Sequence, residues 1–205
     1  MDLIKHKYRK THFVDFRKIE NIIEKATSLF SKDGTQAVSM DDIAGQCGIS
    51  KKTIYAFFVS KEILINEIVQ ILLAENIEML DKIQAASLNP IAEMEELFVN
   101  LQKTTKILTP FFVGEIRQHY PNAYHLLRQF QNNKIRPFVI QNITRGVNEN
   151  IYRANLDYES LSVLYSWQLQ NIYEATSVPI DVDKLLSETN KLFLQGIIRN
   201  LQVSL

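Results

Sequence analysis

The chain has 205 residues, with 23 Lys and Arg against 23 Asp and Glu and a single cysteine. That length suits one large or two small domains with a sizeable core. One cysteine excludes a disulfide framework and a CxxC pair, and no apolar run approaches the ~20 residues needed to span a bilayer. No secretory signal pattern is seen, so the expected location is the cytoplasm. The zero net charge hides an asymmetry. Residues 1–62 carry 11 basic against 8 acidic side chains, and residues 63–205 carry 12 against 15. Such polarity is expected when one end of a chain meets nucleic acid and the other does not. Glycine and proline are sparse, at 6 and 5, and strand-like alternation is hard to find. The expected fold class is therefore all-α.

The chain opens with a basic segment, Lys5, Lys7, Arg9 and Lys10. It reads either as an arm along a nucleic-acid backbone or as a solvated tail. Ile19, Ile22, Ile23, Ala26, Leu29 and Phe30 then recur at helical spacing, and Lys32-Asp33-Gly34 signals a glycine stop. Ser39 is placed to cap the next helix, with Asp42 three residues on to support the cap. Met40, Ile43, Ala44 and Cys47 form its apolar face, and Cys47 reads as a small buried hydrophobe. Gly48 suits a left-handed turn, and Ser50 caps a second short helix that Ile54 and Phe58 anchor. Its outward face holds Lys51, Lys52, Thr53 and Tyr55, types that reach phosphate oxygens and base edges. Ala56 and Phe57 offer apolar surface for thymine methyls, and Phe57 fits the core equally well. Ser60 caps a third helix opening with Lys61 and Glu62, whose N-terminus favours an adjacent phosphate. On spacing alone the same pattern fits a helical corner with solvated lysines; the flanking helices make the helix-turn-helix reading specific.

From Glu62 to about Ala86 a long helix is expected, with Ile63, Leu64, Ile68, Ile71, Leu72, Ile77, Leu80 and Ile83 near one stripe. Asn89-Pro90 and Thr109-Pro110 open further helices, and Pro121 starts another over 122–149. Pro137 falls inside it and should kink or break it. Residues 146–157 read as a helix end and loop. The last two helices are expected near 157–176 and 181–203, separated at Val178-Pro179, with Asp181 or Asp183 as cap. Both carry apolar residues on more than one face. That fits a dimeric four-helix bundle, in which Gly196 permits close approach, or an intramolecular core.

The stretch Ala26–Phe30, Asp33–Thr35, Val38–Ala44, Cys47–Tyr55, Phe58 and Ser60–Leu64 resembles the TetR/AcrR-type transcriptional regulators. The likeness is strong over the first third of the chain and architectural beyond it. It implies an N-terminal three-helix DNA-binding bundle over 1–62 and a helical ligand-binding and dimerisation domain over 63–205, joined by the helix near 62–86. By this resemblance Tyr55 and Lys61 hold phosphates, Ser39 meets a phosphate at its helix start, and Lys51, Lys52 and Thr53 are candidates for base contacts. The expected DNA-contacting set is Ser39, Ser50, Lys51, Lys52, Thr53, Tyr55, Phe57 and Lys61. Lys52 stands where the family often has glycine, and Ala56 and Phe57 where it often has histidine or tyrosine. These departures alter charge and apolar contact at the reading face.

Dimerisation is favoured by DNA recognition itself, because a two-fold dimer reads two half-sites. The expected partners are a double-stranded operator, a second copy of the chain and a small-molecule effector of unknown identity. Phe111, Phe112, Glu115, His119, Tyr124, Tyr165 and Trp167 are candidates for an effector pocket, although most aromatic residues here also fit ordinary core. No cofactor or metal site is expected, since no P-loop, dinucleotide fingerprint, nucleophile elbow or ligand-spaced cluster is present. The expected function is that of a homodimeric, ligand-responsive repressor rather than an enzyme. The rival readings are a helical small-molecule-binding protein or an adaptor that lacks sequence-specific DNA binding, and a regulator that activates.

Overall fold

The computed structural model describes residues 13–174 and 181–199. The basic segment at Lys5–Lys10, the Val178-Pro179 break and the end of the last expected helix lie outside them. The described residues are helical apart from loops and one isolated antiparallel bridge between Tyr152 and Ile198. The helices are α1 Phe13–Asp33, α2 Met40–Gln46, α3 Lys51–Phe57, α4 Lys61–Ala85, α5 Pro90–Thr105, α6 Pro110–His119, α7 Pro121–Phe130, α8 Arg136–Asn148, α9 Tyr158–Glu174 and α10 Val182–Ile197. The all-α expectation holds. None of the described helices is long and apolar enough to cross a membrane.

The chain divides into two compact units. The first comprises Met1–Glu75 and Lys106–Leu127. Its core is built by the α1 stripe Ile19, Ile22, Ile23, Ala26 and Phe30, joined by Ile43, Ile54, Phe58, Leu64 and Ile68, all buried. Burial of such side chains stabilises by about 1.5–3 kcal/mol each. Helix α6 adds Phe112, fully buried, with its ring 5.9 Å from that of Phe30. Cys47 is only half-buried, its Sγ 3.8 Å from the Asn21 carbonyl, and that burial pushes its thiol pKa up. Ile63, placed on the α4 stripe by its spacing, is 46% exposed.

The second unit comprises Asn76–Thr105 and Arg128–Leu205. Met94, Leu97 and Leu101 of α5 pack with Phe138, Val139 and Ile143 of α8, Tyr165 and Leu169 of α9, and Phe193, Leu194 and Ile197 of α10. Pro137 does not break its helix. Residues Gln131–Ile135 form a π-helical turn, and the Arg136 N–H reaches the Gln131 carbonyl, five residues back. Proline has no N–H for the usual bond to the carbonyl four residues earlier, and the widened turn absorbs that mismatch while the backbone stays right-handed helical.

The helix starts follow from their caps. Asn89, Thr109 and Asp181 each accept a backbone N–H three residues on, and Pro90, Pro110 and Pro121 occupy first helical positions, where a missing N–H costs nothing.

Candidate nucleic-acid interface

Helix α2 begins with a reciprocal cap. The Asp42 N–H donates to Ser39 Oγ at 3.1 Å, and the Ser39 N–H and hydroxyl donate to Asp42 Oδ2 at 2.8 and 2.6 Å. Two backbone donors that the helix leaves orphaned are thereby satisfied. The Ser39 hydroxyl, and after it the Ser39 N–H, hold the Asp42 carboxyl below its ordinary pKa. The helix ends in a Schellman turn. The Ile49 N–H reaches the Ala44 carbonyl at 3.0 Å and the Gly48 N–H reaches Gly45 at 3.1 Å, with Gly48 at φ +65°. A left-handed residue is needed there, and glycine adopts it without a Cβ penalty.

Ser50 then caps α3, accepting the Thr53 N–H at 3.1 Å, while its hydroxyl lies 2.8 Å from Thr53 Oγ1. Ile54 and Phe58 are buried and fix the inner side of α3. Lys51, Lys52, Tyr55 and Ala56 are exposed on the outer side, and Thr53 and Phe57 are half-buried. Val59, just past α3, is 67% exposed and extends this surface. Local capping and two apolar anchors thus present lysines, hydroxyls and an aromatic ring together.

Lys51 is already engaged. Its Nζ donates to Asp41 Oδ2 at 2.8 Å and lies 5.9 Å from the centre of the Tyr55 ring. The Asp41 hydrogen bond, followed by its charge, raises the Lys51 pKa. Lys52 makes no ion pair among the described residues. Lys61 is turned inward, donating from Nζ to the carbonyls of Thr35 at 2.6 Å and Val38 at 3.0 Å. It pins the loop that delivers Ser39 to the start of α2. Ser60 caps α4 by accepting the Ile63 N–H at 3.2 Å.

The same loop is held from α6. Gly34 has φ +83°, and Thr35 donates its N–H and its hydroxyl (2.8 Å) to Glu115 Oε2. Tyr120, at the end of α6, is buried, which pushes its hydroxyl pKa up against the pull of its hydrogen bond to Thr35. Of the effector-pocket candidates, Phe111 and Glu115 therefore converge on Gly34, and Phe112 lies in the core against Phe30. His119 is exposed and Tyr124 half-buried. In the other unit Tyr165 is buried edge-on against Phe193, ring centres 4.8 Å apart, whereas Trp167 is 62% exposed. Those two point different ways. Among the described residues no cluster of three or more His, Cys, Asp or Glu is arranged to hold a metal ion.

Sequence spacing missed the Asp41–Lys51 pair and the Glu115–Thr35 contact. The first is ten residues apart with a turn between, and the second is 80 apart. Only the acid beside the cap signalled the former, and nothing local signals the latter.

The geometry has counterparts among known proteins. Residues 22–68 match the family described as "Bacterial regulatory proteins, tetR family". Over 94 residues the chain is 29% identical to the uncharacterized HTH-type transcriptional regulator YvaF of Bacillus subtilis (strain 168), covering 45% of this chain and 49% of that protein. It is 23% identical over 141 residues to the HTH-type transcriptional repressor KstR2 of Rhodococcus jostii (strain RHA1), 67% of this chain and 69% of that one. The match to YvaF thus spans about half that protein's length. The crystal structure of a transcriptional regulator from Cytophaga hutchinsonii ATCC 33406 shares the fold, with a TM-score of 0.71 at 19% identity, covering 89% of this chain and 99% of the other. The matched segment contains α2, the Schellman turn and α3 whole, and over these residues the chain is similar to the tetR family of bacterial regulatory proteins.

Proposed function

We propose that the chain is a homodimeric, ligand-responsive transcriptional regulator of the cytoplasm, acting as a repressor on an inverted-repeat operator. The observation that carries this reading is the outer face of α3, where Lys51, Lys52, Thr53 and Tyr55 stand together on a short helix anchored from behind by Ile54 and Phe58. Such a helix enters the major groove with its N-terminal residues toward the bases. Lys52 is the base-reading candidate, since a lysine there reaches guanine acceptors. Tyr55, Ser39 and Ser50 serve the backbone, and Phe57 offers apolar contact. Lys61 has a third ammonium hydrogen left for a phosphate after its two carbonyl bonds.

Residues 1–62 form the reading head, and 63–205 supply regulation and pairing. Dimerisation through α9 and α10 is supported by large apolar side chains left in water: Val163, Leu164 and Trp167 on α9 and Leu192 on α10. Exposed large apolar side chains mark an interaction surface where they gather into one patch. In the dimer the two α3 helices would stand ~34 Å apart, one DNA turn. An effector changes that spacing only to the extent that it prefers one arrangement over the other. The repressor sign follows the printed name of the KstR2 relative.

The test is selection from a randomised duplex pool, followed by binding of the recovered sequence across a salt series. An inverted repeat whose affinity falls steeply with salt is expected. Tyr55→Phe should weaken all sequences alike, while Lys52→Ala should also change the recovered sequence. A pool that shows no enrichment would sink this reading in favour of a small-molecule-binding or adaptor protein.

A further inference from the structure

Lys51 opens α3 and is held from outside that helix. Its Nζ lies 2.8 Å from Oδ2 of Asp41, on the first turn of α2, and 5.9 Å from the centre of the Tyr55 ring. Both members of the pair are exposed. The neighbouring Asp42 is committed to the cap, where its Oδ2 accepts the Ser39 N–H and hydroxyl. Among the described residues the Asp41 carboxylate pairs with Lys51 and no other side chain. A carboxylate on a surface that meets phosphates is repelled by the DNA backbone. It therefore weakens binding to DNA at large, except where it meets a donor on a base edge.

The major groove offers two such donors, the N4 amine of cytosine and the N6 amine of adenine. Each is hydrogen-bonded across its base pair to a carbonyl oxygen, O6 of guanine or O4 of thymine, so donor and acceptor stand ~2.9 Å apart. The Lys51–Asp41 pair repeats that spacing with opposite polarity, a donor nitrogen 2.8 Å from an acceptor oxygen. Laid along a base pair, it puts Nζ on the carbonyl oxygen and the carboxylate on the amine. The two kinds of pair differ in the next group along. On G·C, N7 of guanine follows O6 and gives a second acceptor to an ammonium that keeps two N–H groups after Asp41. On A·T, the thymine methyl follows O4 and strips water from the ammonium, while N7 of adenine sets a lone pair against the carboxylate.

We propose that Asp41, together with Lys51, is a specificity-determining residue that reads one G·C pair in each half-site. Lys51 donates to O6 and N7 of guanine, and Asp41 accepts the N4 amine of cytosine; that assignment rests on the regulator reading and deepens it by naming a base pair. The carboxylate opposes DNA in general and is compensated at that pair, which turns binding strength into discrimination. A purely structural role for Asp41, through the dipole of α2, would leave base preference untouched.

The randomised-duplex selection is run in parallel with the parent chain, Asp41→Ala and Lys51→Ala. The parent pool is expected to hold a fixed G·C pair at one position of each half-site. Both variants should lose that preference and keep the other positions. When that pair is changed to A·T in the recovered duplex, the parent should bind about tenfold more weakly. Asp41→Ala should show almost no loss on the same change, and should gain more affinity for an unrelated duplex than for the recovered one. A retained G·C preference in Asp41→Ala overturns the proposal and leaves operator recognition standing. Should Asp41→Ala fail to fold, a retained preference in Lys51→Ala overturns it equally. A parent pool without enrichment removes the regulator reading, and this base assignment with it.

Discussion

The turn between α2 and α3 and the cluster around Glu93 are both held by polar contacts, and they differ in reach. In the turn the cap and backbone bonds join residues three to five apart, and the one longer link, Lys51 to Asp41, spans ten, at the surface. In the second unit Glu93 is 4% exposed, and its Oε2 accepts from Asn142 Nδ2 at 2.6 Å and Arg145 at 2.9 Å, partners 49 and 52 residues away. Asn142 also donates to the Pro90 carbonyl and accepts the hydroxyl of Tyr152, while Arg145 reaches the Leu88 carbonyl. Burial by its surroundings, and next the charge of Glu93, push the Tyr152 hydroxyl well above its ordinary pKa, so it stays protonated as a donor. Gly146 makes room for the Tyr152 ring, since a Cβ there would lie 2.1 Å from it. Surface caps set direction and register, whereas the buried cluster ties α5, α8 and the loop before α9 into one body.

The largest predicted effect follows. Glu93→Ala removes the shared acceptor and leaves Asn142 and Arg145 with unpaired donors at a buried site. A loss of about 3 kcal/mol is expected, read as a lower urea midpoint with unchanged slope. A loss below 1 kcal/mol would mean that water replaces the carboxylate and that the cluster contributes little.

Next in size is Gly34→Ala. The position has φ +83°, and the new Cβ would sit 2.7 Å from the Phe111 ring and 2.8 Å from Glu115 Oε2. Left-handed strain and crowding together should cost about 2 kcal/mol. Because Thr35, Glu115 and Lys61 all act on this loop, DNA binding should fall with stability. Full DNA affinity in a destabilised variant would separate the loop from the reading face.

These contrasts show what a sequence makes legible. The cap at Ser39, the turn at Gly48 and the cap at Ser50 could be read because each uses partners within a few residues, where chain geometry leaves few choices. The buried stripe of α1 could be read because helical spacing fixes it. The inward turn of Lys61 could not, since it depends on carbonyls of a loop 23 and 26 residues earlier. Nor could Glu115 be placed beside Thr35, or Phe112 beneath Phe30. Their aromatic and acidic character fitted a pocket as well as a packing contact. Pro137 announced a disturbance, but its position leaves a π turn and a break equally open.

A smaller effect is expected at Asp41. Its pair with Lys51 is exposed, at 56% and 67% side-chain accessibility, and such solvent-screened pairs contribute little to stability. Asp41→Asn should leave the urea midpoint almost unmoved and raise DNA affinity several-fold, because it removes a negative charge from the reading face and releases Lys51 for phosphate. The gain should shrink as salt rises. Unchanged or weaker DNA binding would show that Asp41 positions Lys51 rather than competing for it.

The smallest effect is one of pH. The Ser39 hydroxyl and N–H hold the folded Asp42 carboxyl below the ordinary value of 3.8. A depressed folded pKa contributes stability that is present above 3.8 and lost as pH falls through the folded value. Ser39→Ala takes away the larger of the two causes, so the variant should lie below the parent at pH 7. The gap between their urea midpoints should narrow by pH 3, where the parent is losing the same contribution by protonation. An equal gap at both pH values would mean that the cap works through the Asp42 N–H to Ser39 Oγ bond alone, with the carboxylate charge contributing nothing.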